Sequence, residues 1–145
     1  MNYVNDILER KGRDVAKVGC EATVLEAAQV MNQRHIGALV VTRGDKVVGI
    51  FTERDVLNRV VAKQLAPADT KVQDVMSAPV TVCAPGTSRN ECRAVMKNRR
   101  LRHLPVVDGD KLVGIVSIGD ILADSEAEQD QTIRSLYEYM HGEWK

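Results

Sequence analysis

Aromatic residues are scarce in this 145-residue chain: one Phe, one Trp and three Tyr make up 3%. With an apolar fraction of 44%, any core must be built from aliphatic side chains. Cysteine is equally sparse. Cys20, Cys83 and Cys92 are odd in number, form no CxxC and stand at no zinc-finger spacing from a histidine, which excludes a disulfide framework or a zinc ribbon. There is no excess charge of either sign, since 20 Lys plus Arg balance 20 Asp plus Glu. The basic surplus of most nucleic-acid-binding domains is therefore missing, and no nucleic acid partner is expected. No charged leader with an apolar centre opens the chain, and no apolar run approaches the ~20 residues of a membrane span. The expectation is a soluble, cytoplasmic protein with no membrane partner. No Ser-His-Asp order, paired-carboxylate pocket or metal-ligand cluster stands out, so no catalytic or metal-binding residue is expected.

What the chain does have is a duplication. Gly44-Asp45-Lys46-Val47-Val48-Gly49-Ile50-Phe51-Thr52-Glu53-Arg54-Asp55 returns as Gly109-Asp110-Lys111-Leu112-Val113-Gly114-Ile115-Val116-Ser117-Ile118-Gly119-Asp120. In the same register Glu26, Met31 and Arg34 match Glu91, Met96 and Arg99. A lead-in repeats too, with Val4-Asn5-Asp6-Ile7-Leu8 resembling Val72-Gln73-Asp74-Val75-Met76. Two copies of so long a unit point to a pseudo-twofold pair rather than a solenoid, which needs three or more repeats. A cleft between the halves is the place to look for a site.

Each half reads as strand, helix, strand, strand, helix. Val15 to Val18 is a short strand. A helix follows from Val24 to about Arg34, with Val24, Ala27, Ala28 and Met31 on one face and Thr23 and Glu26 as a capping box. Ser88 and Glu91 repeat that device. Ala38 to Val41 is a buried strand, too short for a helix. Arg43 to Lys46 has the composition of a hairpin turn, and Val47 to Phe51 returns antiparallel. Gly49 within that strand implies a bulge or a close backbone approach. A second helix starting at Thr52/Glu53 carries Val56, Leu57, Val60 and Val61 along one face. The second half repeats the order with Val80 to Cys83, Ser88 to Arg100, Leu104 to Val107, Leu112 to Val116 and Ile118 to about Ala123. The expected organisation is a first repeat over 1–65 with its lead-in helix, a second over 66–125, and a helical tail over 126–145 striped by Ile133, Leu136, Tyr137 and Met140.

The order of elements, the "GALVV" and "HLPVVD" strands, the "GDK-V/L-VGI" hairpins and the closing Thr/Ser-x-x-Asp resemble a tandem pair of CBS domains, a Bateman module. The resemblance covers about residues 3 to 125 and implies an α+β fold of two pseudo-twofold-related β-α-β-β-α repeats with facing three-stranded sheets. It implies a stand-alone module that binds an adenosine-containing ligand (AMP, ADP, ATP, NAD or S-adenosylmethionine) between its repeats. It also implies pairing into a homodimer and regulation of another, unknown protein.

Thr52-Glu53-Arg54-Asp55 and Ser117-Ile118-Gly119-Asp120 are the sharpest candidates, and two readings compete for them. Thr or Ser followed three residues later by Asp at a helix start is a capping arrangement. The same geometry offers free N–H groups and a hydroxyl to a phosphate, and a carboxylate to the two hydroxyls of a ribose. Arg54 suits a phosphate, whereas its counterpart Gly119 does not, so the halves are not expected to be equivalent. In the second half the cationic candidates are Arg102 and His103, within the basic stretch that begins at Arg99 and Arg100. The Ile36-Gly37-Ala38 and Leu104 backbones are candidates for reading an adenine edge. His35 and His141 read as surface residues, and Cys92 as core.

Three functions follow in descending order: an adenine-nucleotide sensor without enzymatic activity, a structural dimerisation module without a ligand, and a nucleotide-processing enzyme. The last would need a base or metal ligands that the sequence does not offer.

Overall fold

The structure, a computed structural model, describes residues 3–126. The expected C-terminal stripe at Ile133, Leu136, Tyr137 and Met140 lies outside them. The first half contains β1 (Lys17–Gly19), α2 (Val24–Arg34), β2 (Ala38–Arg43), β3 (Lys46–Thr52) and α3 (Glu53–Asp55), which runs on into a π-helical stretch, Val56–Val61. The second contains α5 (Arg89–Arg99), β4 (His103–Asp108), β5 (Lys111–Ser117) and α6 (Ile118–Glu126). A lead-in helix precedes each half, α1 (Val4–Lys11) and α4 (Val72–Val75). This is the α+β duplication expected from the sequence. No helix among the described residues is long and apolar enough to cross a membrane.

Local signals act as read. Thr23 Oγ1 accepts from the Glu26 amide at 3.1 Å, and Ser88 Oγ does the same for Glu91. Both boxes are closed by the glutamate reaching back to the cap amide. Helices α2 and α5 end alike, on His35 and Arg100 in the left-handed conformation. The hairpins turn on Gly44 and Gly109, whose φ of +60° and +63° suits the first central position of a type II′ turn.

The sheets differ where the sequence predicts that they match. In the first half β1 runs parallel to β2, and β2 pairs antiparallel with β3. The strand expected over Val80 to Cys83 is reduced to a single bridge between Cys83 and Val106, leaving β4 and β5 as a two-stranded sheet. Proline explains the loss. In the first half the Val40 amide donates to Ala16 at 3.1 Å. The residue in Val40's position in the second half is Pro105, which has no N–H to give. The third strand of the second sheet is thereby cut to its Cys83 contacts.

The second helix of the first half also departs from the expected face. Amides of Ala62 and Leu65 bond carbonyls five residues back, at Leu57 and Val60, which widens the helix. Val60 is buried, while Leu57 and Val61 are exposed.

The two cores are not assembled from the two halves as the chain divides them. One core joins Val24, Ala27, Met31, Leu39, Val41, Phe51 and Val60 to Val72 and Val75 of α4. The other joins Cys92, Met96, Leu104, Val106, Val116 and Ile121 to Val4, Ile7 and Leu8 of α1. Each lead-in helix is thus packed into the opposite half. The glycines inside the hairpins make room for this. A Cβ on Gly49 would stand 2.5 Å from Met76 Sδ, and one on Gly114 would stand 2.7 Å from a Leu8 methyl. Gly49 also lies beside the register shift in β2/β3, so both consequences read from it occur together. Cys83 and Cys92 hydrogen-bond each other in the second core, and this contact with burial raises the Cys83 thiol far above its ordinary range.

Candidate functional site

Exchange of the lead-ins brings the end of α4 against β3, where Ser77 forms a two-bond bridge with Ile50 (3.1 and 2.9 Å). Ser77, the start of α3 and the α5–β4 connection then enclose a cleft between the halves. Its lining includes Gly37, Thr52, Arg54 and Asp55 from the first half and Arg100, Leu101, Arg102 and His103 from the second. The sequence assigned Arg102 and His103 to a site in their own half. The fold carries them across to the Thr52–Asp55 turn, so three guanidinium-bearing residues (Arg54, Arg100 and Arg102) and two carboxylates (Glu53 and Asp55) share one cavity of about 160 Å³.

Asp55 is only 5% exposed. Its Oδ2 accepts from the Thr52 amide (3.0 Å) and hydroxyl (3.3 Å), while its Oδ1 accepts from the Ser77 hydroxyl at 2.9 Å. Arg59 Nε lies 3.7 Å from Oδ1, and its guanidinium donates to the Met76 carbonyl at 2.8 Å. The capping reading is therefore realised, and Ser77 holds the oxygen that a ribose would need. The free amides expected at this helix start are also largely used. Glu53 N donates to the Gly37 carbonyl at 3.1 Å and Asp55 N to Thr52 Oγ1 at 3.3 Å. A phosphate here would be met mainly by guanidinium groups. Arg54 already reaches across the cleft to the Arg100 carbonyl, at 3.5 Å.

Ser117 and Asp120 lie apart from this cleft, in the pseudo-equivalent position of the second half. Asp120 Oδ2 accepts from the Ser117 amide at 2.8 Å and from Lys11 Nζ at 2.7 Å. Lys11 donates in addition to the Ile115 carbonyl at 3.0 Å. Burial pushes the Asp120 carboxyl up, but the Lys11 and Ser117 bonds outweigh it and hold the group below its ordinary value. His103 stands between the two carboxylate turns. Burial draws its imidazole below the ordinary value, against the opposing pull of Asp120 and Glu53.

The remaining backbone candidates fall elsewhere. Ala38 and Leu104 are buried strand residues paired with Thr52 and Val116, so neither lines the cleft. Ile36 faces a neighbouring groove with His35, Glu53 and Val56. Sequence reasoning missed Ser77, Leu101 and Lys11. The lead-ins repeat at a spacing of 68 residues and the hairpins at 65, so aligning one register hides which lead-in residue meets which carboxylate.

This arrangement defines a class: a duplicated α+β unit with swapped lead-ins and a polar, cationic cleft where the halves meet. The chain belongs to the CBS domain family, which it matches over residues 4–62 and 72–126. It is similar to a CBS-domain protein of Burkholderia ambifaria MC40-6 assigned to signal transduction. That structure superposes with a TM-score of 0.85 at 41% identity, over 88% of this chain and 96% of the other. The CBS domain-containing protein YhcV of Bacillus subtilis is 34% identical over 129 residues, covering 89% of each chain. The mitochondrial CBS domain-containing protein CBSX3 of Arabidopsis thaliana is 32% identical, over 96% of this chain and 72% of that protein.

Proposed function

We propose that this CBS-domain pair is a regulatory module, without catalytic activity, that binds an adenine nucleotide in the first cleft and passes its occupancy to a partner protein. The observation that carries the reading is that Arg54, Arg100 and Arg102 line one inter-repeat cavity together with the Asp55 carboxylate. Guanidinium groups match phosphate oxygens in a bidentate way. A carboxylate in the same cavity suits the other end of a nucleotide, where a ribose hydroxyl would take over the oxygen now held by Ser77. Leu101 and Ile50 give the base an apolar wall. At about 160 Å³ the cleft is smaller than the roughly 300–1,000 Å³ of ordinary ligand sites. Binding therefore requires the halves to part, and that motion is what a partner would read. The same surface chemistry supports homodimerisation through exposed Leu57, Val61 and Leu122 on the helices after the hairpins.

The test is calorimetric titration with AMP, ADP, ATP, NAD, S-adenosylmethionine and adenosine, paired with melting temperatures, because a ligand of the folded state alone raises stability by mass action. Saturable binding lost in Asp55→Ala sustains the reading. One observation favours the alternative, a dimerisation module without ligand: every oxygen of Asp55 already has a partner. On that reading no nucleotide shifts the melt, and Asp55→Ala lowers stability only.

A further inference from the structure

We infer that Lys11 is a built-in occupant of the second carboxylate turn, Ser117–Asp120, so that the chain takes one nucleotide and not two. The inference rests on the reading of the first cleft as a nucleotide site. In the first half Ser77 uses two groups on two partners: its amide bonds the Ile50 carbonyl at 2.9 Å, and its hydroxyl bonds Asp55 at 2.9 Å. In the second half one ammonium does both, with Lys11 Nζ on the Ile115 carbonyl at 3.0 Å and on Asp120 at 2.7 Å. Ile115 and Asp120 stand 65 residues after Ile50 and Asp55, so these are the same two acceptors.

The substituent differs in charge, and charge decides the competition. A ribose hydroxyl can replace the Ser77 hydroxyl like for like, a neutral donor for a neutral donor. It cannot replace an ammonium without leaving a carboxylate and a cation each short of a charged partner, and bonds between charged groups are about twice as strong as neutral ones. Lys11 is also not a loose surface lysine. It is the last residue of α1, whose C-terminal end favours a cation, and α1 is anchored by the fully buried Val4, Ile7 and Leu8. The core fixes the helix that carries the occupant, and the two bonds to Ile115 and Asp120 place its ammonium.

Titration of the full chain with AMP tests this, using wild type, Lys11→Met, Lys11→Arg and the double variant Lys11→Met/Asp120→Ala. Methionine keeps the unbranched stem and removes the ammonium, whereas arginine keeps a cation. Wild type and Lys11→Arg should bind one AMP per chain, Lys11→Met two, and the double variant one again. Should Lys11→Met fail to melt cooperatively, Lys11→Gln takes its place with the same expectation. Two sites in wild type, or one site in folded Lys11→Met or Lys11→Gln, overturns the occupant while leaving the nucleotide reading standing. No binding by any variant, of AMP or of ADP, ATP, NAD and S-adenosylmethionine titrated in the same way, instead removes the nucleotide reading, and the occupant with it.

Discussion

Ser77 donates its hydroxyl to Asp55 at 2.9 Å from a segment 22 residues further along the chain. The bond joins the lead-in of one repeat to the carboxylate turn of the other, and it crosses the wall of the cleft. Removing the hydroxyl in Ser77→Ala should cost about 1.5–3 kcal/mol, the net worth of a hydrogen bond to a charged group. Because the same hydroxyl competes with a ribose, AMP affinity in Ser77→Ala should rise. Denaturant melts and calorimetry on the one variant check both, and a fall in affinity would show that Ser77 holds the ligand.

Asp55→Ala should both destabilise and abolish binding at the first cleft. Bonds to a charged group are worth roughly 1.5–3 kcal/mol each, whereas a lost cap alone costs about 0.5–2 kcal/mol and leaves affinity unchanged. Wild-type affinity in a destabilised Asp55→Ala would reduce this aspartate to a cap.

Arg54 is exposed and makes one long bond, to the Arg100 carbonyl. Arg54→Ala should therefore leave the melt within about 0.5 kcal/mol of wild type. It should weaken AMP and ATP but not adenosine, since only a phosphate gives the guanidinium a partner. Equal losses for nucleotide and nucleoside would assign Arg54 to the shape of the loop.

Gly49→Ala and Gly114→Ala should each cost about 1–3 kcal/mol by overpacking, because the added methyl meets Met76 in one case and Leu8 in the other. Gly19→Ala and Gly86→Ala, where a Cβ meets nothing within 4 Å, serve as controls. In a double-mutant cycle, Leu8→Ala should relieve part of the Gly114→Ala cost, and strict additivity would deny the contact.

His103 sets a pH dependence. Burial holds its imidazole below the ordinary 6.5, so the unfolded chain takes up this proton first as pH falls. Its contribution to stability is complete above about 6.5 and drains away as pH drops from there to the lower folded value. His103→Asn should flatten the stability profile in that window. Asp120, held below its ordinary 3.8, loses its contribution only under more acid conditions, so the two effects separate.

How much of this was legible in the sequence varies by element. Capping boxes, hairpin turns and the duplication are local patterns, and they lie where the residues put them. Gly49 announced a close approach, though not that Met76 would make it. The shortened third strand was legible in principle from Pro105, but only once its amide was known to face the segment around Cys83. What no local pattern carries is the exchange of α1 and α4, since Val4 to Leu8 would suit either core equally well. Lys11 escaped for the same reason: its partner lies 109 residues away. Arg102 and His103 were found by their charge, but charge does not say that their loop also lines the cleft at the Thr52–Asp55 turn of the other half.

The exchanged helices have a consequence for synthesis of the chain. Val4, Ile7 and Leu8 leave the ribosome long before Val116 and Ile121, on which the core that covers them closes. The opening helix must wait, apolar face uncovered, while more than a hundred residues are added, and contacts of such long separation form slowly. At ordinary translation rates of about 5–20 residues per second this interval lasts several seconds. The first core, whose members run from Cys20 to Val75 of α4, closes earlier, so the two cores are completed one after the other along the nascent chain.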